Sequence, residues 1–499
     1  PDDYDRRKIN ERQTGKMLFN SLDFAIFLPV VFLLYWFVVN RNLQLQNCFI
    51  LFASYVFYAW WDWRFLSLIL FSTIVDYWVG RGLSRQLNPP RRKLLLWISI
   101  GVNLGFLGFF KYYNFFLDNF IEAFSFFGMP ISARSLNVVL PVGISFYTFQ
   151  TLSYTIDVYR RKLEPTKDFI AFAAYVSFFP QLVAGPIERA TRLLPQFFNH
   201  RKFDYNQARD GLRQMLWGLF KKVVIADSCA EFSDLFFNHS DQYPGSALLL
   251  GALFFSFQIY VDFSGYSDIA IGTARLFGFN LMRNFAFPYF SRDIAEFWRR
   301  WHISLSTWFR DYLYIPLGGS RVETWKKIRN VFIIFLVSGF WHGANWTFIL
   351  WGALNALYFL PLMLWNKNRK NLDVVAAGKH LPSLKAFFQI GLTFGLTVFT
   401  WIFFRAENLS HAWNYIAIIF SPSLFAFPEF EGKGRAFLTI LLVLGFVLIE
   451  WIGREDEYAI ERIGLEWSRL VRWAFYSVII FMIGMFMQTS ETPFIYFQF

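Results

Sequence analysis

The sequence predicts an all-α protein whose helices cross a membrane about eleven times, and its composition and apolar runs lead to this prediction. Only 17% of the 499 residues are charged, 55% are hydrophobic, and the mean hydropathy is +0.34. Soluble domains carry roughly 25% charged residues, and a soluble fold of this length could not cover so much apolar surface. A bilayer solvates that surface directly, so we predict a polytopic transmembrane protein.

The apolar runs give the candidate spans, since a spanning helix needs about 20 apolar residues. No small-residue cleavage site follows the first run, Phe24–Val39, so we predict a retained span and not a signal peptide. Several runs are short, which indicates tilted or buried helices. The other candidate spans are Asn47–Trp61, Phe65–Val79, Leu94–Phe110, Phe169–Ala184, Ala247–Val261, Val331–Leu350, Trp351–Leu364, Phe387–Phe404, Phe437–Trp451 and Trp473–Met487.

The remaining sequence adds no second domain. Two apolar stretches, 136–157 and 211–230, are interrupted by Pro, Gly or Lys and are predicted to be re-entrant or partly buried. Residues 1–16 are polar and precede Met17, the natural start, so we interpret them as an extension. There is no internal repeat or low-complexity stretch. Residues 17–499 are therefore predicted to form a single membrane domain.

Loop charge predicts the orientation, because cytoplasmic loops are rich in Lys and Arg. Loop 81–93 has five basic residues and no acidic one, and loop 366–385 has five against one aspartate. Loop 231–245 has three acidic residues and no basic one. We predict that the first two are cytoplasmic and the third is external, and counting crossings from them puts 283–329 on the cytoplasmic side. The net charge of +12 then reflects this bias and not a nucleic-acid surface. The two cysteines, Cys48 and Cys229, predict neither a disulfide nor a metal site.

Ionisable groups inside membrane segments are costly and suggest functional sites. Pro180–Arg189 interrupts a span where polar groups appear, so it either lines a cavity or ends a helix with a Glu–Arg pair. Asp262 and Asp268 flank a predicted small-residue break after another span. They could bind a cation or serve acid–base chemistry, but we favour a structural role in neutralising nearby arginines. Those arginines are Arg275, Arg283 and Arg292.

A third cluster, 292–311, has helical spacing and predicts one interfacial or re-entrant amphipathic helix. His302 falls at the edge of its apolar face and is predicted to point into the protein. Arg299 and Arg300 lie on the polar face, where their planar guanidinium groups suit a phosphate-bearing ligand. Alternatively, Arg300 simply pairs with Glu296 at i,i+4 spacing.

His342 lies within the predicted 331–350 span, roughly 20 Å beyond Arg329 along a helix. A buried histidine is kept neutral by desolvation, as a general base requires. The alternative is a core histidine bonded to a neighbouring helix. Gly339 and Gly343 are four residues apart, which predicts a close approach by another helix. A narrow polar line is predicted along the span: Ser338, His342 and Asn345.

Four motifs occur in one order along the chain and together resemble the membrane-bound O-acyltransferase family, in its bacterial branch that acts in alginate O-acetylation. They begin with Asp-Phe-Ser-Gly-Tyr-Ser-Asp and Phe-Trp-Arg-Arg-Trp-His, which end at Asp268 and His302. Trp308–Gly319 and Phe-Trp-His-Gly-Ala, which ends at Ala344, follow. The Val183–Glu188 segment and the terminal Phe-Ile-Tyr-Phe-Gln-Phe resemble the same branch. The resemblance covers the chain from Met17 onward.

The resemblance implies that His342 is the principal catalytic residue and His302 the second essential polar position. It implies a ring of helices around a central tunnel, in which a cytoplasmic acyl donor meets an acceptor from outside. No metal or bound cofactor is expected. We assign further polar residues to substrate or donor binding: Arg299, Arg300, Asp268, Asp311 and Asn345.

The expected function is O-acetylation of an exported polysaccharide such as alginate, from acetyl-CoA or an acyl carrier, in the bacterial inner membrane. The chain has no Gly-x-Ser-x-Gly elbow, and the resemblance implies a separate periplasmic acetyltransferase partner. D-alanyl transfer to teichoic acid and peptidoglycan O-acetylation are alternatives. A transporter is an alternative of another class, although no inverted repeat supports it.

Overall fold

The computed structural model describes residues 17–126, 136, 139–183, 185–487 and 494–495. These residues form helices and connecting turns, with no β-strand among them, so the all-α prediction is confirmed. The N-terminal extension predicted at 1–16 lies outside the described residues. So do Ala184 of the Pro180–Arg189 cluster and the last four residues of the C-terminal motif.

The described chain forms two compact units. The first takes the residues up to Gly211 together with Thr273–Leu281, and the second takes Leu212–Gly272 and the residues from Met282 onward. That 17–499 act as one domain stays a prediction.

The first unit contains nine complete α-helices among its described residues. They are α1 (Leu22–Leu33), α2 (Leu43–Asp62), α3 (Leu66–Arg85), α4 (Pro89–Leu107), α5 (Tyr113–Phe126), α6 (Ile144–Tyr159), α7 (Phe169–Ser177), α8 (Phe179–Leu182) and α9 (Ala190–Leu193). A buried polar cluster joins α3, α4 and α6. The carboxylate of Asp76 accepts hydrogen bonds from Ser99, Asn103 and Thr155. A fully buried carboxylate is tolerated here because several donors satisfy it.

The second unit contains the remaining α-helices, the first of which begins at Tyr205 in the first unit. These helices are α10 (Tyr205–Phe220), α11 (Asp227–Asn238), α12 (Gly245–Leu276), α13 (Ile294–Arg300), α14 (Ile303–Phe309), α15 (Thr324–His342), α16 (Trp346–Leu364), α17 (Leu384–Arg405), α18 (Leu409–Ile419), α19 (Lys433–Ile452) and α20 (Arg469–Phe486). A π-helical segment, Lys221–Ala226, joins α10 to α11, and another, Arg310–Tyr314, follows α14. The last four residues of α12 belong to the first unit.

Membrane character is confirmed. Within the described residues, seven helical stretches are long and apolar enough to cross a bilayer, and two shorter apolar ones are Leu22–Val38 and Phe169–Leu182. The seven are Leu43–Arg85, Pro89–Phe126, Gly245–Leu276, Trp346–Leu364, Leu384–Arg405, Lys433–Ile452 and Arg469–Phe486. The protein is therefore polytopic, and the figure of eleven crossings stays a prediction.

Polar residues fix where many of the helices begin. A side-chain oxygen of the residue before the helix accepts a hydrogen bond from a backbone N–H of the first turn, which satisfies a donor that the helix itself leaves unpaired. This capping is made by Ser21, Asn42, Asp168, Asp293, Asn345, Ser383 and Asn408.

The predicted helix break between Asp262 and Asp268 is wrong, because α12 is continuous through both residues. The glycine of this motif serves close packing and does not break the helix. A Cβ at Gly265 would lie 2.9 Å from the Gly218 carbonyl oxygen of α10. The small residue therefore lets two helix backbones meet within the second unit.

The predicted single span 331–350 is also wrong, because α15 ends at His342 and α16 begins at Trp346. Gly343 is extended, with φ −162° and ψ 152°, and this conformation stops the helix. The predicted close helix approach at Gly339 is confirmed, since a Cβ there would overlap the carbonyl group of Phe348 in α16.

Gly339→Leu should therefore destabilise the protein strongly. A side chain at this position cannot fit between α15 and α16, and overpacking of this kind costs about 1–3 kcal/mol. We expect a lower melting temperature and less monodisperse protein in detergent. Gly395→Leu is the matched control, since a Cβ at Gly395 in α17 meets nothing within 4 Å. Equal melting temperatures for the two variants would contradict the packing argument.

Candidate active site

His342 stands at the C-terminal end of α15, where the chain turns into α16. It is buried, with 4% of its surface exposed. Asn345 caps α16 by accepting a hydrogen bond from the Thr347 N–H at 3.0 Å. The turn between the two helices is thus short and fixed, and it holds His342 at a helix end inside the protein.

His302 lies between α13 and α14, so the predicted continuous helix over 292–311 is wrong. Trp301 is extended, and His302 has left-handed dihedral angles, φ 43° and ψ 56°. Helical hydrogen bonding cannot continue through these two conformations. The predicted inward direction of His302 is confirmed, because only 1% of its surface is exposed.

The two histidines come together, although forty residues separate them in the sequence. Their ring centroids are 6.5 Å apart. Trp351 and Phe404 each place a ring 5.2 Å from that of His342, and Phe263 lies edge-on to His302 at 4.7 Å. The imidazole pair therefore sits among aromatic rings that exclude water, and both rings are close enough to contact one small bound group.

A cavity of about 1110 Å³ borders both histidines. Its wall includes Ile334 and Phe335 of α15 and Phe359 of α16, which are apolar. Sites for cofactor-sized molecules typically have volumes of roughly 300–1,000 Å³. The cavity is therefore large enough for a substrate of that size, with its reacting group beside the histidines.

The cavity lining is strongly basic. It contains no Asp or Glu among the described residues, and its cations are Arg299, Arg310, Lys327 and Arg369. The Arg299 guanidinium donates to the carbonyl oxygens of Asn368 and Asn371, each at 2.7 Å, and so ties the loop after α16 to α13. All four cations belong to the segments 283–329 and 366–385, which loop charge predicts to be cytoplasmic. Such a field attracts an anionic ligand.

Arg300, the second predicted donor-binding arginine, is engaged elsewhere. Its guanidinium pairs with the buried Glu296 carboxylate at 2.9 Å, as the alternative interpretation expected, and Arg292 shares that carboxylate at 3.0 Å. Arg292 also pairs with Asp373, and this partner holds the pKa of the Asp373 carboxyl below its ordinary value. Arg300 does not line the cavity.

Three further predicted residues also lie outside the cavity lining. Asp268 pairs with Lys221 at 2.6 Å, and Asp311 pairs with Arg310 at 2.7 Å. Asn345 caps α16 and donates to the Glu407 carbonyl at 2.8 Å, so its predicted place on one polar line with His342 is wrong. Of the seven predicted site residues, the cavity brings together His302, His342 and Arg299.

The carboxylates of the Asp262–Asp268 motif are bound by buried lysines. Lys222 lies 2.8 Å from Asp227 and 3.1 Å from Asp262, beside the Lys221–Asp268 pair. The predicted partners were arginines, but the ion pairs are made by lysines, because the π-helical segment after α10 presents two successive lysines to α12. Of the three arginines, Arg283 interacts electrostatically with Asp268. These pairs agree with the structural role that we favoured for the motif.

Sequence reasoning missed several residues of the site. In the sequence, Lys327 and Arg369 stand out only as loop charge, and Trp351 and Phe404 only as apolar residues of spans. The sequence feature that could have identified these cations as site residues is their location in the two segments predicted to be cytoplasmic. Nothing in the sequence singled out the aromatic rings. No group of three His, Cys, Asp or Glu residues comes together as a metal site in the described part of the chain.

A polytopic helical protein with two buried histidines beside a cofactor-sized cavity has the features of a membrane-embedded transferase. Comparison with known proteins identifies the class. Residues 160–404 match the model of the membrane-bound O-acyltransferase family, MBOAT. The chain belongs to this family and is an acyltransferase, which sets the transporter alternative aside.

Individual relatives agree with the family. The chain is 43% identical to the probable alginate O-acetylase AlgI of Pseudomonas aeruginosa, over 89% of this chain and 82% of that protein. It is 37% identical to the peptidoglycan O-acetyltransferase of Helicobacter pylori, over 79% of this chain and 78% of that protein. It is 29% identical to the teichoic acid D-alanyltransferase of Streptococcus thermophilus, over 53% of this chain and 68% of that protein.

Proposed function

We propose that this protein, in the bacterial inner membrane, moves acetyl groups from a cytoplasmic thioester donor for the O-acetylation of an exported polysaccharide such as alginate. One observation carries the proposal: a single cavity, whose lining holds four cations and no Asp or Glu among the described residues, also borders a buried histidine pair. The probable alginate O-acetylase from P. aeruginosa, 43% identical to this chain, supports this polysaccharide.

The donor that suits this cavity is acetyl-CoA or a phosphopantetheine-bearing acyl carrier. Both carry phosphate groups, and Arg and Lys bind phosphate through charge-assisted hydrogen bonds. Lys327 and Arg369 would bind these phosphates at the cavity opening, while the pantetheine arm lies along the apolar wall at Phe335 and Phe359. That placement directs the thioester toward His342.

The histidines would divide the chemistry between them. His342 accepts the proton of the acceptor hydroxyl, and the hydroxyl oxygen attacks the thioester carbonyl. A C–O bond forms and the C–S bond breaks, and the proton passes from His342 to the departing sulfur, which leaves as a thiol. His302 donates a hydrogen bond to the carbonyl oxygen as negative charge develops there.

The acceptor would approach from the side opposite the basic residues, and a separate periplasmic acetyltransferase would complete transfer to the polysaccharide. Peptidoglycan is a second candidate for the final acceptor. The H. pylori peptidoglycan O-acetyltransferase, at 37% identity over 79% of this chain, favours this candidate over D-alanyl transfer.

Sealed membrane vesicles of both orientations test the proposal. In inside-out vesicles from the source cells, added ¹⁴C-acetyl-CoA or ¹⁴C-acetyl carrier protein should yield alkali-labile label in the macromolecular fraction, because the basic opening faces the medium. Right-side-out vesicles should give none until they are made permeable. Label that forms only in intact right-side-out vesicles would overturn the donor side, and undiminished label in His342→Ala vesicles would overturn the site.

A further inference from the structure

The backbone at His302 adopts a conformation that L-residues avoid. With φ 43° and ψ 56°, its Cβ crowds the following carbonyl, which is unfavourable relative to right-handed angles. Residues in this region persist where the surrounding structure over-determines them. The contacts on either side of His302 therefore show what holds the imidazole in place.

Asn284 binds the two residues that follow His302. Its backbone carbonyl accepts from the Ile303 N–H at 2.8 Å, and its Oδ1 accepts from the Ser304 hydroxyl at 2.9 Å. The Ser304 N–H also points to Oδ1, at 3.4 Å. Asn284 is fully buried, so these bonds replace water that cannot reach it.

The same amide anchors the turn to the long helix α12. Asn284 Nδ2 donates to the Ser267 hydroxyl at 3.1 Å, one residue before the Asp268 that Lys221 binds. Both ends of the Asn284 side chain are therefore used, one on the histidine turn and one on the Asp262–Asp268 motif. The Asp262–Asp268 motif therefore does more than form ion pairs, because its Ser267 also holds the turn at His302 through Asn284.

We infer that Asn284 is the positioning residue for His302. It holds the left-handed turn, and through that turn it sets where the imidazole stands in the cavity relative to His342. The inference rests on the proposed function, because it assigns Asn284 a role in acyl transfer only through His302. Aspartate at this position would lack the donor to Ser267, and alanine would lack every side-chain bond while keeping the backbone bond to Ile303.

The consequence is a loss of rate without a loss of donor binding. A displacement of a catalytic group by about 1 Å can reduce the rate roughly 100-fold. Asn284→Ala should lower kcat about 10- to 100-fold with the donor KM unchanged, because the cations that bind the donor are untouched. Asn330→Ala is the matched control. Asn330 is equally buried and donates to the Leu317 carbonyl at 3.1 Å, but it does not touch the histidine turn.

A double-mutant cycle decides whether Asn284 acts through His302. In a His302→Gln background, Asn284→Ala should cause no further fall in kcat, since residues that act as a unit are not additive. Steady-state release of free thiol from acetyl-CoA in inside-out vesicles, which supply the hydroxyl acceptor, gives kcat and KM, and melting temperatures of the purified variants report the folded state. Where Asn284→Ala fails to fold, Ser304→Ala removes one of the bonds and carries the same cycle.

Additive losses, an unchanged kcat, or a kcat loss that matches the control would each overturn the positioning role. Failure of the proposed function looks different: His302→Gln and His342→Ala would then both retain wild-type kcat. If the histidine variants are inactive and Asn284→Ala is fully active, the positioning role of Asn284 is refuted and the proposed function stands.

Discussion

His342→Ala should abolish acyl transfer while leaving a folded protein in the membrane. Loss of a general base typically reduces the rate 10²- to 10⁴-fold, and no other described histidine lies as close to this position as His302, whose ring is 6.5 Å away. Acetyl incorporation in inside-out vesicles, normalised to protein abundance, measures the effect. The donor KM should change little, because the cations that bind the donor lie in other segments.

Two further variants separate chemistry from packing. His342→Gln keeps most of the volume between Trp351 and Phe404, so it should fold normally and remain inactive. His411→Ala removes a half-buried histidine that lies 3.3 Å from the Ser240 hydroxyl and outside the cavity, and it should remain active. Normal acetylation by His342→Gln at normal abundance would refute the assignment of His342 as the base.

Reversing two cations at the cavity opening should raise the donor KM without a matching fall in kcat. In the variant Lys327→Glu with Arg369→Glu, carboxylates would repel the donor phosphates. We expect a rise in KM of about 10- to 100-fold, which corresponds to roughly 1.4–2.8 kcal/mol. Thiol release from acetyl-CoA at several donor concentrations measures it. The wild-type KM should also rise with ionic strength, because salt screens such contacts, and the variant should show a weaker dependence.

The neighbouring basic residues provide the control. Lys326→Glu with Lys370→Glu changes the net charge by the same amount next to each site, but neither side chain borders the cavity. This control should leave the donor KM within about twofold of the wild-type value if steering by net charge is small. Equal rises in KM for both variants would show that general surface charge, and not the cavity opening, governs donor binding.

The two predictions address separate parts of one site. The histidines lie where aromatic rings exclude water, and the cations lie where the lining meets the segments predicted to be cytoplasmic. A variant in one part should therefore change kcat and a variant in the other should change KM. This separation is itself testable, since a triple variant that combines His342→Ala with Lys327→Glu and Arg369→Glu should show additive free energies when the parts are independent.

The sequence by itself determined the membrane class, the helical fold and the family. Composition requires a bilayer because apolar surface on this scale cannot be covered in water. The motifs around His302 and His342 identified the two histidines, and loop charge predicts that the cations lie on one side of the membrane. These properties depend on the type of each residue and on its neighbours along the chain, and both can be read directly from the sequence.

Only the tertiary structure decided where the helices stop and which polar groups meet. The breaks at His302 and after His342, and the continuity of α12 through Gly265, depend on neighbours that are distant in the sequence. Helical periodicity and apolar runs do not register such neighbours, so they predicted unbroken helices at the two histidines. The small residues between Asp262 and Asp268 predicted a break in α12 for the same reason. Long-range contacts likewise pair Asp268 with Lys221 and place Arg299 in the cavity lining, because a charge buried in the protein takes whichever partner packing brings within reach.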